Sequence, residues 1–365
     1  MPSLPFFNPC FAMKLNRVLN NRLRLGAWFF LLSLTYISAA MAATAPSLEE
    51  VLNLLGIPRQ QIDKLNHGEI IFHDIPEATG KELAMSIAIF FPVPFERTVD
   101  YIKNGDLLSV DPAITAYQEI SPNADVIAFK RFGFTDSQTD EALDLLNAEA
   151  GDRFNLSSQE ISSFAAIKNA IADTDKINVV EVISQKYREI LLQRYQTYRA
   201  QGLAGIAAYS RDNGVADPAT ELRIAAENNK VLAQLFPQIF HGWLNYPEAL
   251  PNGIEERFYW MNRQVENRPT AILGHHFLLI TKTGALMLAR QFYVGHSYNS
   301  SHLTVGALPF RDGTLVFYGE RTSTDQVTGL ASGLRHNIGR EQMKEQMVKR
   351  LKSLGGKLIT GSKNK

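Results

Sequence analysis

Large and small side chains alternate along several stretches of the chain. The clearest stretch is 82–91, where large residues occupy every second position: Leu83, Met85, Ile87, Ile89 and Phe91. A spacing of two places these side chains on one side of an extended backbone, so it predicts a strand. Pro92 and Pro94 follow it and are expected to end the strand.

Similar patterns predict further strands at 68–75, 125–135, 255–265, 270–281, 285–296, 302–308 and 314–321. Two short turn sequences, Lys282-Thr283-Gly284 and Arg311-Asp312-Gly313, separate members of the last group. Glycine in such a position is typical of hairpins. We therefore expect the last five strands to form an antiparallel meander.

Helical spacing dominates the middle and the end of the chain. Residues 136–250 are expected to form an inserted, all-helical block, with a capping box at Ser157 and Glu160 and a cap at Asp217. Near the end, Met343, Met347, Leu351 and Leu354 make one apolar stripe in a helix expected at 334–354. Gly355 and Gly356 are expected to end that helix.

The order of these elements predicts an α+β fold. It would consist of a curved antiparallel sheet with a long C-terminal helix laid across it, plus the helical insertion at about 136–250. A strongly curved sheet beneath a helix leaves an apolar cavity between the two.

The first 42 residues have the pattern of a secretory signal peptide. Basic residues precede an apolar run at 26–37, and Ala40-Met41-Ala42 supplies a cleavage site. The run is shorter than the about 20 residues that a membrane-spanning helix needs. We therefore expect export to the periplasm, no membrane span after cleavage, and a mature chain of 43–365 that forms one domain.

Composition narrows the range of functions. The 365 residues include 37 basic and 37 acidic side chains, so the formal net charge is zero and a nucleic-acid partner is not expected. One cysteine excludes an intramolecular disulfide and a cysteine-ligated zinc site. No nucleotide-binding or metal-binding motif occurs, so we expect no cofactor and no metal.

The sequence resembles the START-type lipid-binding domains, which have a helix-grip fold. Residues 87–102 (IAIFFPVPFERTVDYI) are similar to that family's strand, proline-containing turn and short helix. The meander and the closing helix also fit, so the resemblance covers 70–97 and 255–354. It implies an elongated apolar pocket for a lipid-like molecule, whereas the helical block departs from the family's pattern.

Charged residues inside predicted strands are the first candidates for a binding site. Arg290 shares a strand face with apolar residues, and Glu320 and Arg321 end the last strand. A charge on an apolar face is costly unless it is paired, so Arg290 could pair with Glu320 or Asp325 inside a cavity. There an arginine would orient a ligand's carboxylate or phosphate. The alternative is that this face is exposed to solvent.

Histidines and aromatic residues complete the candidate site. We expect His276, His296, Phe292, Tyr293 and Tyr318 to line the pocket, because tyrosine can present a polar tip to a ligand. The alternative for the aromatic residues is ordinary core packing. The sequence Gly295-His-Ser-Tyr-Asn299 approaches a nucleophile elbow but lacks the final glycine and a following helix.

Three hypotheses follow from the sequence. The first is an exported binding protein for a hydrophobic or lipid-like small molecule. The second is a hydrolase or isomerase in which His276 or His296 is the base and Glu320 or Asp325 orients it. The third is an envelope interaction protein without a small-molecule site. The sequence assigns no catalytic residue.

Overall fold

A computed structural model describes residues 46–105, 110–172, 178–248 and 250–360. It contains helices and one open antiparallel sheet of eight strands, so the α+β class is confirmed. The predicted signal peptide at 1–42 lies outside the described residues and stays a prediction, as does the division of the chain into domains. No helix among the described residues is long and apolar enough to cross a membrane.

The strands follow the sequence prediction closely in the C-terminal half. They are β1 (Ile71–His73), β2 (Glu82–Phe91), β3 (Ile114–Ile120), β4 (Tyr209–Arg211), β5 (Gly214–Ala216), β6 (Ile254–Val265), β7 (Arg268–Ile280), β8 (Ala285–Val294), β9 (Ser300–Phe310) and β10 (Gly313–Ser323). The order in the large sheet is β1-β2-β10-β9-β8-β7-β6-β3. Strands β6 to β10 therefore form the expected meander, and β2 joins it beside β10.

The helices are α1 (Leu48–Leu54), α2 (Arg59–Asn66), α3 (Phe95–Asn104), α4 (Thr139–Leu146), α5 (Ser158–Ala172), α6 (Val179–Gln201), α7 (Pro218–Glu227), α8 (Lys230–Leu235), α9 (Pro237–Leu244) and α10 (Ser332–Thr360). Both predicted caps form. The side chains of Ser157 and Glu160 each accept a hydrogen bond from the other's backbone N–H. The carboxylate of Asp217 accepts from the backbone N–H groups of Ala219 and Thr220.

The strand predicted at 125–135 is wrong. Asp125 accepts a hydrogen bond from the backbone of Ile127 and starts a short 3-10 turn at Val126–Phe129. Phe129 and Phe132 are buried against Trp260. Aromatic packing, instead of the hydrogen bonds of a strand ladder, therefore stabilises this segment. The outer strand beside β6 is β3.

The prediction that 136–250 is all-helical is also wrong. A two-stranded hairpin, β4–β5, lies within it, with Arg211 opposite Gly214. Asp212 and Asn213 form the two-residue loop before Gly214, whose φ of 117° suits glycine. The short hairpin interrupts the helices between α6 and α7.

The two faces of the large sheet are covered differently. Helix α10 and helix α3 cover one face of β2, β9 and β10, which we call the α10 face. Helices of the 136–250 block cover the opposite face of β6, β7 and β8, while α1 and α2 cover that face of β2 and β10. We call this opposite face the block face.

Helix α10 does not end at Gly355 as predicted. It continues to Thr360, and Gly355 lies inside it where the helix approaches the sheet closely. A Cβ atom at Gly355 would lie 2.7 Å from Cε1 of Phe91 on β2. The glycine is therefore a contact point of the helix with the sheet.

Candidate functional site

A cleft of about 230 Å³ opens on the block face of the sheet. Helix α1 forms one wall, and the second wall runs from Asn228 through α8 to Phe236. The floor is formed by β2, β10 and β9. The cleft thus lies on the face opposite α10, whereas the sequence predicted a cavity between the sheet and the C-terminal helix.

The floor is made of small side chains that stand next to one another on neighbouring strands. Ser86 pairs with Gly319, and Gly319 pairs with Thr304. Gly306 lies two residues further along β9. A Cβ at Gly319 would have no heavy atom closer than 3.9 Å, so the space above the floor is open. Leu286, Leu308 and Phe317 add apolar surface around it.

The second wall is anchored to the floor by Asn229. Its Oδ1 accepts from the backbone of Leu232 and caps α8, while its Nδ2 donates to Thr304 Oγ1 at 2.6 Å. One side chain therefore fixes both the start of α8 and its position over β9.

Four basic or imidazole side chains form a row across the block face. His275 on β7 pairs with Arg290 on β8, Arg290 pairs with His302 on β9, and His302 pairs with Arg321 on β10. We call these four residues the arginine–histidine row. His302 and Arg321 line the cleft. Cross-strand partners lie about 5 Å apart between Cβ atoms, so the four side chains are close neighbours.

Arg321 closes the inner end of the cleft. Its Nη1 donates to Glu82 Oε2 at 3.0 Å, and its Nη2 donates to the carbonyls of Pro76 and Asn228. These bonds tie β10 to the segment before β2 and to the end of α7. The sequence predicted Arg321 as a ligand-binding residue, and it lines the cleft.

His302 is held by a tryptophan of the helical block. The indole N–H of Trp243 donates to His302 Nε2 at 2.8 Å, so the proton of the neutral ring is on Nδ1. Burial, together with the charges of Arg290 and Arg321, lowers the pKa of His302 to about 3. The ring is therefore a neutral hydrogen-bond donor at neutral pH.

Arg290 is fully buried behind His302. It donates to the hydroxyl of Tyr198 and to the carbonyl of Trp243, both at 2.9 Å, and its Cζ lies 4.3 Å from the centre of the Trp243 ring. Its Nε has no hydrogen-bond partner. Among the described residues, no carboxylate forms an ion pair with Arg290.

The row continues to a histidine–carboxylate pair. His275 Nδ1 lies 2.8 Å from the Tyr198 hydroxyl, and its Nε2 lies 3.0 Å from Glu256 Oε1. Burial lowers the pKa of His275 to about 4, although Glu256 acts in the opposite direction. Aromatic rings pack around His275, including Phe258 at 4.3 Å between centres.

Glu320 and Tyr318 lie on the α10 face, away from Arg290. The Tyr318 hydroxyl donates to Glu320 Oε2 at 2.8 Å, and Arg350 of α10 donates to both. Arg350 Nε also donates to Asp111 Oδ2 at 3.3 Å, as does Arg263 Nε at 3.1 Å. Successive side chains of a strand point to opposite faces, and Arg321 lies on the face of Arg290. Its neighbour Glu320 therefore lies on the other face, and the suggested pairing of Arg290 with Glu320 is wrong.

The suggested partner Asp325 is also engaged elsewhere. It accepts from Arg211 at 2.9 Å and from Lys81 at 2.6 Å. Arg211 also donates a hydrogen bond to Asn299 Oδ1, and Asn299 Nδ2 donates to Glu221 of α7. Burial raises the pKa of Glu221 to about 7, against the hydrogen bonds from Asn299 and Ser300.

Phe292 and Tyr293 lie together in the core between β8 and α6. A bulge beside Gly274 turns both side chains toward the helical block. Phe292 stacks on Tyr198 at 3.9 Å between ring centres, and the Tyr293 hydroxyl lies 2.8 Å from that of Tyr187.

His276 and His296 do not meet each other or a carboxylate among the described residues. His276 points to the α10 face beside the Tyr259 ring. His296 Nε2 lies 2.8 Å from Thr270 Oγ1, and its Nδ1 lies 2.7 Å from Ser297 Oγ. Desolvation lowers the pKa of each histidine to about 3.

Ser297 lies in a left-handed backbone conformation, with a φ of 72°. Its hydroxyl donates to Glu266 Oε2 at 2.7 Å, so Ser297 Oγ accepts from His296. His296 therefore donates to this serine and does not take its proton. The described residues contain no group of three or more histidine, cysteine, aspartate or glutamate side chains that could hold a metal ion.

Two groups that line the cleft, His302 and the small floor residues, were not selected from the sequence, nor was Trp243, which holds His302. The available signal for an open floor was a glycine inside each of two neighbouring predicted strands, Gly306 and Gly319.

Comparison with known proteins adds little to this geometry. No protein-family model matches the sequence, and no curated protein sequence matches it. A solved structure with some similarity is the crystal structure of Ara h 8.0201, at 7% identity and a TM-score of 0.28. The match covers 76% of this chain and 99% of that chain, and a likeness at this score carries no argument about the fold or the ligand.

Proposed function

We propose that the protein is an exported, periplasmic binding protein for a hydrophobic or lipid-like small molecule. The observation that carries this proposal is the open cleft over Ser86, Gly306 and Gly319. Apolar walls around a few fixed polar groups are typical of small-molecule sites. The signal-peptide pattern at 1–42 supports export.

Filling the floor tests the proposal. Gly319→Leu places a branched side chain into the open space without backbone strain, because the φ of Gly319 lies outside the left-handed region. Binding of the neutral dye Nile red to the purified protein, followed by fluorescence, is expected to weaken by about tenfold or more in this variant.

Gly333→Leu is the matched control. Gly333 has no heavy atom within 4 Å of its Cβ position, and it lies at the exposed start of α10, away from the cleft. This variant is expected to bind Nile red as the wild type does. Equal binding by wild type and Gly319→Leu, or no binding by the wild type, would contradict the proposal.

A further inference from the structure

We propose that the inner end of the cleft binds the anionic head group of an amphipathic ligand, a carboxylate or a phosphate. Arg321 and His302 would contact the head group, and Arg290 behind them would add a positive charge that no carboxylate pairs directly. The inference rests on the proposed function, since it assigns the chemical class of the ligand in that same cleft.

The first support is the charge of the buried groups. Arg290 and Arg321 are 0% and 7% exposed, and they flank His302 in adjacent strands. Glu82 pairs with Arg321, whereas Arg290 has no carboxylate partner among the described residues. A buried cation without a counter-ion is costly, so an anion bound nearby would be stabilised by it.

The second support is the set of donors. Arginine has five N–H groups, and three hydrogen bonds of Arg321 go to Glu82, Pro76 and Asn228. His302 adds its Nδ1–H, because Trp243 occupies Nε2. Donors from two neighbouring strands therefore converge at one end of an otherwise apolar cleft, which suits a carboxylate or phosphate oxygen.

The third support is the direction of the cleft. From this end it runs over Gly319 and Gly306 toward Leu308 and α1, where the walls are apolar. An apolar chain attached to the head group would lie along this floor. The arrangement therefore favours an amphipathic anion over a neutral hydrophobic molecule.

Three probes with the same alkyl chain test the inference: octanoate, octyl phosphate and octanol. Isothermal titration of the purified protein is expected to show that at least one anion binds about tenfold or more tightly than octanol. The tighter of the two anions identifies the head group as a carboxylate or a phosphate. Octanol binding as tightly as both anions would overturn the inference and leave the proposed function standing.

The variant for this test is the double substitution Arg321→Gln/Glu82→Gln, which removes both charges and leaves no unpaired carboxylate. It is expected to reduce the preference for the anion over octanol by about tenfold while octanol binding persists. Arg350→Gln/Glu320→Gln is the matched control, since this ion pair lies on the α10 face. An unchanged preference in the folded double variant would overturn the inference, and no binding of any probe or of Nile red to the wild type would overturn both proposals.

Discussion

The two faces of the sheet bury arginines in different surroundings. On the α10 face, Arg263 and Arg350 share Asp111, and Arg350 also contacts Glu320. On the block face, Glu82 pairs with Arg321, while Arg290 contacts a tyrosine, a carbonyl and an indole ring. The first face pairs each of these arginines with a carboxylate and ties a helix to the sheet, whereas on the second face Arg290 has neutral partners next to a cleft.

This difference shows that a buried arginine can serve two purposes. Ion pairs such as Arg350–Glu320 have their partner within the fold, so their role is structural. The direct partners of Arg290 are neutral groups, which keep the guanidinium in place without forming an ion pair with it. Changes on each face should therefore have separable effects on stability and on binding.

The largest effect is expected from Trp243→Ala. The indole bonds His302, packs over Arg290 and contacts Phe277 at 4.6 Å between ring centres. Loss of a buried tryptophan costs about 3–5 kcal/mol. Urea unfolding should show this loss, while Leu330→Ala, at a side chain that is 91% exposed, should leave the free energy of unfolding unchanged. A Trp243→Ala protein as stable as the wild type would show that the block face does not depend on this contact.

Acid should destabilise the block face. The pKa of His302 is about 3 in the fold and 6.5 when the chain is unfolded, so the fold holds the neutral ring. The contribution of His302 to the free energy of unfolding is fully present above pH 6.5. It is lost as the pH falls from 6.5 toward 3. The effect of this one group is on the order of a few kcal/mol.

Urea unfolding at a series of pH values checks this. His302→Asn should reduce the slope of stability against pH below 6.5, since it removes the group that must take up a proton on unfolding. His241→Asn, at a ring that is 70% exposed, is the control and should keep the wild-type slope. The same slope in wild type and His302→Asn would refute the assignment.

A pair of glycines tests the α10 face. Gly355→Ala should lose about 1–3 kcal/mol, because its Cβ would lie 2.7 Å from Phe91. Gly356→Ala should gain about 0.5–1 kcal/mol, since its Cβ position is open and alanine favours a helix. Thermal unfolding should therefore shift in opposite directions, and a gain in both variants would show that α10 does not approach β2 so closely.

A change in the opposite direction with pH is expected at Glu221, where α7 meets β9. Its pKa is about 7 in the fold and 4.5 in the unfolded chain, so stability falls as the pH rises from 4.5 through 7. Glu221→Gln should remove that fall and be more stable at pH 8 by about 1–2 kcal/mol. The exposed Glu227→Gln on the same helix is the control, and a wild-type profile in Glu221→Gln would contradict the expectation.

Local signals predicted much of the fold. The alternation at 82–91, the hairpin turns of the meander and the cap at Asp217 each depend on neighbours within a few residues, and all three were found. Gly355 was wrongly predicted to end the last helix. A glycine is present there because of a close contact with Phe91, which is far away in the sequence. The same holds for 125–135, where packing against Trp260 decides the conformation.

The site was less predictable than the fold. Arg290 is buried, which is one of the two alternatives that the sequence left open. Its partners could not be predicted, because they depend on which face of each strand packs against which helix. The bulge beside Gly274 also could not be predicted. It places Tyr293 on the same sheet face as Arg290 and moves Val294 to the opposite face. One extra residue in a ladder reverses the faces beyond it, and the sequence carries no clear sign of it.

Asn229 couples the local stability of α8 to the state of the cleft. The helix has six residues, and the bond from Asn229 to Thr304 holds its first turn against β9. A helix this short unfolds locally at low cost, and its amide protons exchange with solvent each time it opens. Hydrogen exchange at Leu232, whose N–H bonds Asn229 Oδ1, therefore reports how often the second wall lifts from the floor, and a bound ligand should slow that exchange.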